Sequence, residues 1–212
     1  MWAAVVGFPT SLARDPALHA GPEVGIGPAL PPANAEVVGK VVRHLEYRMP
    51  ALDRDLRQEL ALTIVDEAAR ARIDPQTVLA LIEVESGFDP AAQSGAGAVG
   101  LMQLMTPTFH RELARHGIQD ADPRDPVRNV QAGVRYYRRL LDAFGREDVA
   151  MMAYNAGPNR ILGYLREGQI PDQFTVYPTS VAAARRRMQR TLVRPELAAP
   201  ALAAVRTVAA GN

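Results

Sequence analysis

An all-α domain is what this sequence predicts, on three observations. Apolar residues recur at spacings of three and four in one segment after another, and Asp-Pro or Thr-Pro pairs stand where several of those segments begin. No run of alternating apolar and polar residues is long enough for a strand. Short connections between the segments fit helices packed into one domain.

The elements follow in order. Residues 1–34 hold Pro9, Pro16, Pro22, Pro28, Pro31 and Pro32 among glycines and alanines, a composition that suits a linker or processed segment. The first helix is expected from Glu36 to Met49, where Val37, Val38, Val41, Val42 and Leu45 repeat until Pro50. Asp53 caps a second helix reaching about Ile73, with Leu56, Leu60, Ile64 and Ala68 along one side. Asp74 and Pro75 open a third, since aspartate accepts from free helix amides and proline suits the first helical position. At about 100° per residue, Val78, Leu81, Ile82 and Glu85 share one face of it, with Glu83 on the other.

Beyond a glycine-rich stretch, Thr106-Pro107 starts a helix ending near His116 and Gly117, and Asp125-Pro126 starts one ending at Phe144 and Gly145. Glu147–Asn155 is short and apolar, Gly157-Pro158 breaks it, and further helices are expected over Asn159–Glu167 and Thr179–Leu192. Residues 35–192 therefore form the folded domain, and 193–212 an Ala/Pro-rich tail without two distinct faces.

Composition excludes several functions. Without cysteine there is neither a disulfide framework nor a thiolate metal site, and His19, His44, His110 and His116 form no metal-ligand spacing. No metal or cofactor is therefore expected. A formal net charge of +1 makes no general case for nucleic acid, and Arg185, Arg186 and Arg187, with Arg190 and Arg194, read as a solvated helix face. No apolar run reaches the roughly 20 residues of a membrane span, so no stable membrane insertion is expected. The apolar N-terminus lacks a basic leader and is a poor signal peptide as written.

Chemistry concentrates between Glu85 and Gln103. A carboxyl on an apolar helix face loses hydration, which raises its pKa toward the range a general acid needs near neutrality. Asp89, before Pro90, reads as a turn residue. Gly95, Gly97 and Gly100 match the GxGxxG spacing of dinucleotide sites, yet a helix precedes them and Pro107 soon follows, where that motif needs a strand before and a long helix after. The better reading is a loop whose bare backbone lets a bulky ligand or another backbone approach closely.

Glu85-Ser86-Gly87-Phe88-Asp89-Pro90-Ala91-Ala92-Gln93-Ser94, running on through Gly97-Ala98-Val99-Gly100-Leu101-Met102-Gln103, resembles the soluble lytic transglycosylase catalytic domain of the goose-lysozyme-like superfamily. Ala153-Tyr154-Asn155-Ala156-Gly157-Pro158 resembles its second motif, and the likeness covers roughly residues 60–190. The resemblance implies an all-α, lysozyme-like fold with a glycan-binding cleft. Glu85 matches the single catalytic acid/base, Ser94 a substrate-holding serine, Met102 and Gln103 one wall of the cleft, and Tyr154 and Asn155 the far side. Pro171 and Tyr177 keep the spacing of a third motif whose tyrosine lies near the acid, while Gln173, Phe174 and Pro178 depart from it.

The activity implied is cleavage of peptidoglycan between N-acetylmuramic acid and N-acetylglucosamine with formation of a 1,6-anhydro ring, in the periplasm or cell envelope. Hydrolysis usually needs two carboxylates, and the motif supplies one. The rival readings are a goose-type lysozyme hydrolysing with water, and a catalytically silent peptidoglycan-binding module of a secretion or conjugation apparatus, which would then be its partner.

Overall fold

The computed structural model describes residues 32–193; nearly all of the expected linker and tail lie outside them. The helices are α1 (Pro32–Arg48), α2 (Arg54–Ala71), α3 (Pro75–Ser86), α4 (Thr106–Ala114), α5 (Pro126–Phe144), α6 (Glu147–Ala156), α7 (Pro158–Arg166) and α8 (Val176–Val193). A short 3-10 turn, Asp172–Thr175, leads into α8.

The aspartate signals act as the sequence predicts. Asp53 accepts from the amides of Asp55 and Leu56, Asp74 from Gln76, and Asp125 from Val127 and Arg128, each pairing helix donors that have no carbonyl partner. Gly87 and Gly145 take left-handed φ at the ends of α3 and α5, as C-terminal caps require.

Four expectations are corrected. Helix α1 starts at Pro32, inside the stretch expected as linker, because proline fits the first helical position. The same tolerance explains α7, which begins at Pro158, and α8, which begins at Val176 with Pro178 in its first turn, where its missing N–H has no intrahelical partner to lose. Thr106 is already helical rather than the cap of α4. A strand pair was also missed: β1 (Ala98–Val99) and β2 (Leu104–Met105) pair antiparallel, with Ala98 opposite Met105 and Val99 opposite Leu104. Two residues are too few to show alternation, and the hairpin delivers the chain directly into α4.

Helix α3 is the centre of the domain. Thr77, Val78, Leu79, Ala80, Leu81 and Ile82 are all buried, so its middle is enclosed on every side rather than along one stripe. It packs most extensively on α8, while α5 packs on α2, α4 and α6. The core runs from Val41 and Leu45 of α1 through Leu60 and Ile64 of α2 to Val130, Tyr137 and Leu140 of α5 and Val181 of α8. The last turn of α3 reaches the edge of this packing, and it carries Glu85 there. Among the described residues no helix is long and apolar enough to cross a membrane.

Candidate active site

Glu85 sits one residue before the end of α3, half-buried. The Tyr177 hydroxyl, in the first turn of α8, donates to Glu85 Oε1. Solvent reaches the glutamate, but protein packed around the carboxyl strips hydration from its charged form. That burial lifts its pKa from 4.5 to about 7, against the opposing pull of the Tyr177 hydrogen bond. Among the described residues no second carboxylate contributes to this shift. Glu83, the other glutamate of the pair, is held by Arg48 at 3.5 Å and Arg187 at 2.9 Å. Asp89 is exposed and its Oδ1 accepts from the Ala91 amide at 2.9 Å, the turn role its sequence position suggests.

The turn after Glu85 is unusual in its backbone. Gly87 (φ 61°) and Phe88 (φ 71°) are both left-handed, a conformation that costs a residue with a Cβ roughly 1–2 kcal/mol. Burial of the Phe88 ring, 3% exposed, offsets that cost. Ser86 Oγ donates to the Ile82 carbonyl at 3.1 Å and accepts from the Phe88 amide at 3.2 Å, tying the turn to α3.

The glycine-rich loop folds back on itself. Ser94 is half-buried; its Oγ accepts from the Ala98 amide at 3.0 Å and its own amide donates to the Ala98 carbonyl at 2.9 Å, so the serine closes the loop. Gln103 takes a left-handed φ of 46° and its Nε2 donates to the Ala92 and Gly100 carbonyls, both at 3.0 Å. At Gly100 (φ 83°) a Cβ would lie 2.6 Å from the Pro123 carbonyl oxygen and 2.3 Å from Asn129 Nδ2. Close approach of another backbone is therefore what this glycine permits, and a strand before the motif is lacking.

Met102 is placed differently from the expectation. Its side chain is fully buried, against the Cα of Gly133, rather than forming a wall open to ligand. Its backbone makes the polar contacts: the amide donates to Asn129 Oδ1 at 2.7 Å and the carbonyl accepts from the Tyr154 hydroxyl at 2.8 Å. Tyr154, in α6, is buried against Tyr136 and Tyr137. Burial, then the charge of Glu85, raises the pKa of both Tyr154 and Tyr177, keeping these phenols as proton donors. Asn155 follows Tyr154, half-buried in the last turn of α6.

Asn129 escaped the sequence reading. It is completely buried in α5; Nδ2 donates to the Val99 carbonyl at 3.0 Å and to the Pro123 carbonyl at 2.8 Å. One amide thus pins the hairpin, the loop before α5 and Met102. Its only sequence signal is a polar residue next to Val130 on the apolar side of a helix. Tyr177, in a motif that departs from its pattern, is the residue that touches Glu85. Phe174, one of the departures, packs on Tyr164 with ring centroids 5.3 Å apart and lies under Arg160, so the change is absorbed in the 3-10 turn.

The geometry gives one desolvated carboxyl, a phenol that donates to it, and a loop locked by backbone hydrogen bonds beside it. Residues 63–175 match the model of the transglycosylase SLT domain. The chain is similar to the transglycosylase of Enterobacteria phage PRD1, 37% identical over 46% of this chain and 35% of the relative. It is 31% identical to the membrane-bound lytic murein transglycosylase C of Actinobacillus pleuropneumoniae, over 58% of this chain and 38% of the relative. With the soluble lytic murein transglycosylase of Salmonella typhimurium the identity is again 31%, over 62% and 20%. Among solved structures it resembles an inactive glutamate-to-glutamine variant of the lytic transglycosylase Slt from Pseudomonas aeruginosa, with TM-score 0.56 and 28% identity over 70% of this chain and 25% of that one. The chain spans well under half the length of each of these proteins.

Proposed function

The chain belongs to the transglycosylase SLT domain family, and from that premise we propose that it is a peptidoglycan lytic transglycosylase with Glu85 as its catalytic acid and base. The observation that carries this reading is the lone Glu85 carboxyl, lifted to about 7 by burial and held by the Tyr177 hydroxyl. A group of that pKa is protonated often enough at neutral pH to act as an acid, and basic enough afterwards to accept a proton.

In the reaction Glu85 protonates the glycosidic oxygen between N-acetylmuramic acid and N-acetylglucosamine, and the bond from that oxygen to the muramic C1 breaks. The carboxylate then takes the proton of the muramic C6 hydroxyl as O6 bonds to C1, closing the 1,6-anhydro ring. The substrate supplies its own nucleophile, so the second carboxylate of a hydrolase is not needed. Tyr177, donating to Oε1, orients the carboxyl through both steps.

The remaining site residues divide by what they touch. Ser94, Gln103 and Asn155, each half-buried, are the residues proposed to meet the glycan, while Met102 and Tyr154 fix the loop from behind through their mutual hydrogen bond. Peptidoglycan places the work in the cell envelope, in keeping with relatives named as murein transglycosylases. Purified peptidoglycan digested with the wild type should release soluble fragments ending in anhydromuramic acid by mass spectrometry, and Glu85→Gln should release none. Fragments each heavier by one water would assign the protein to hydrolysis, and binding without cleavage by the wild type would assign it to a silent wall-binding module.

A further inference from the structure

Helix α1 ends where the family match has not yet begun, which is at residue 63, yet its last two turns lie against the turn that follows Glu85. The Arg48 guanidinium carbon stands 4.4 Å from the centre of the Phe88 ring, and Nη2 donates to the Gly87 carbonyl at 3.5 Å. Its Nη1 reaches Glu83 Oε2 at 3.5 Å, and Glu83 Oε1 in turn accepts from Arg187 of α8 at 2.9 Å. One turn back along α1, the buried His44 ring meets Phe88 edge to face, with centroids 5.3 Å apart.

These contacts converge on the two left-handed residues, Gly87 and Phe88, that directly follow Ser86 and Glu85. A strained turn keeps its shape only when its surroundings over-determine it. Arg48 supplies three such restraints: a cation over the ring, a cap on the carbonyl, and a link through Glu83 to α8, the helix that carries Tyr177. We propose that Arg48 is a positioning residue for the Glu85 carboxyl, acting through the Gly87–Phe88 turn from a helix outside the matched family domain.

The inference rests on Glu85 being the catalytic acid. Burial and the Tyr177 hydrogen bond set the Glu85 shift and Tyr154 of α6 is coupled to its charge, while Arg48 pairs with Glu83 instead. A change in the Glu85 titration on replacing Arg48 therefore reports hydration of the carboxyl. Loosening the turn admits water, and the alkaline limb of the pH–rate profile moves to lower pH.

The test compares Arg48→Ala, Arg48→Lys and Lys40→Ala on the full chain, with kcat, KM, the pH profile and the thermal midpoint measured for each. Lys40 lies on the same helix, pairs with Glu36 four residues back, and is 41% exposed. Arg48→Ala is expected to lower kcat about tenfold or more, with KM within about twofold and the alkaline limb shifted down. Arg48→Lys, which keeps the charge but loses the planar stack, falls between, and Lys40→Ala matches wild type. Unchanged kcat and pH profile in folded Arg48→Ala, whatever its melting temperature, overturns the proposal, as does a rise in KM alone. If Arg48→Ala does not fold, Arg48→Gln carries the same comparison. Glu85→Gln run alongside separates the two claims: retained turnover there defeats the catalytic assignment, whereas a dead Glu85→Gln beside a normal Arg48→Ala defeats only the role of Arg48.

Discussion

Replacing Tyr177 with phenylalanine removes the hydroxyl that donates to Glu85 Oε1 and leaves the buried ring in place. A hydrogen bond to a charged group contributes about 1.5–3 kcal/mol, and 1.36 kcal/mol corresponds to one pKa unit. The bond favours the carboxylate, so its loss raises the Glu85 pKa by roughly 1–2 units, from about 7 to roughly 8–9. The acid form then persists to higher pH, and the alkaline limb of kcat/KM for peptidoglycan solubilisation moves up by that amount. The carboxyl also loses its orienting partner, so kcat at the optimum falls by about tenfold to a hundredfold. Opposite signs thus appear in one variant: a wider pH range and a lower ceiling. An alkaline limb that stays put, or moves down, refutes the assignment of that limb to Glu85 held by Tyr177.

Other variants probe the supporting structure. Glu85 has a folded pKa raised above its unfolded value, so between pH 4.5 and 7 the unfolded state ionises first and the native state loses stability as pH rises. Glu85→Gln should therefore melt higher than wild type at pH 8 by an amount worth about 1–3 kcal/mol, after allowance for its partial exposure, and the gap should close by pH 4. Asn129→Ala leaves the Met102 amide and the Val99 and Pro123 carbonyls unpaired in the interior, which should cost about 3 kcal/mol or more in urea unfolding. Gly133→Ala puts a Cβ 2.3 Å from Met102 Sδ, and chemical denaturation should register about 1–3 kcal/mol of overpacking.

Where local chemistry decides the outcome, the sequence was readable. Asp53, Asp74 and Asp125 cap helices through their own side chains, and Gly145 ends α5, with little dependence on the rest of the chain. The separation of Glu85 from Glu83 also follows from helical geometry alone. What was hidden depends on packing. Met102 reads as a wall of the site because its motif resembles one that lines a cleft, yet the Gly133 Cα leaves room for its side chain in the core. Asn129 is one asparagine on a long helix until the hairpin is brought beside it, and only then do its three hydrogen bonds exist.

Proline was the residue whose effect was most often misjudged. Pro32 falls in the expected linker, Pro158 in an expected break and Pro178 among the departures from a motif, whereas all three stand in first turns. Placing Pro178 inside α8 brings Tyr177 into the same first turn and up to Glu85, a contact made across 92 residues of chain. The spacing of the third motif points to this pairing, and the start of α8 supplies its geometry.

The central claim, that one carboxyl suffices because the substrate provides the nucleophile, has a direct test in the fate of solvent oxygen. Peptidoglycan is digested by the wild type in water enriched in heavy oxygen, and the released muropeptides are weighed. Intramolecular ring closure predicts anhydro ends carrying no heavy oxygen. Incorporation of one heavy oxygen at each new reducing end would contradict it and mark the protein as a hydrolase.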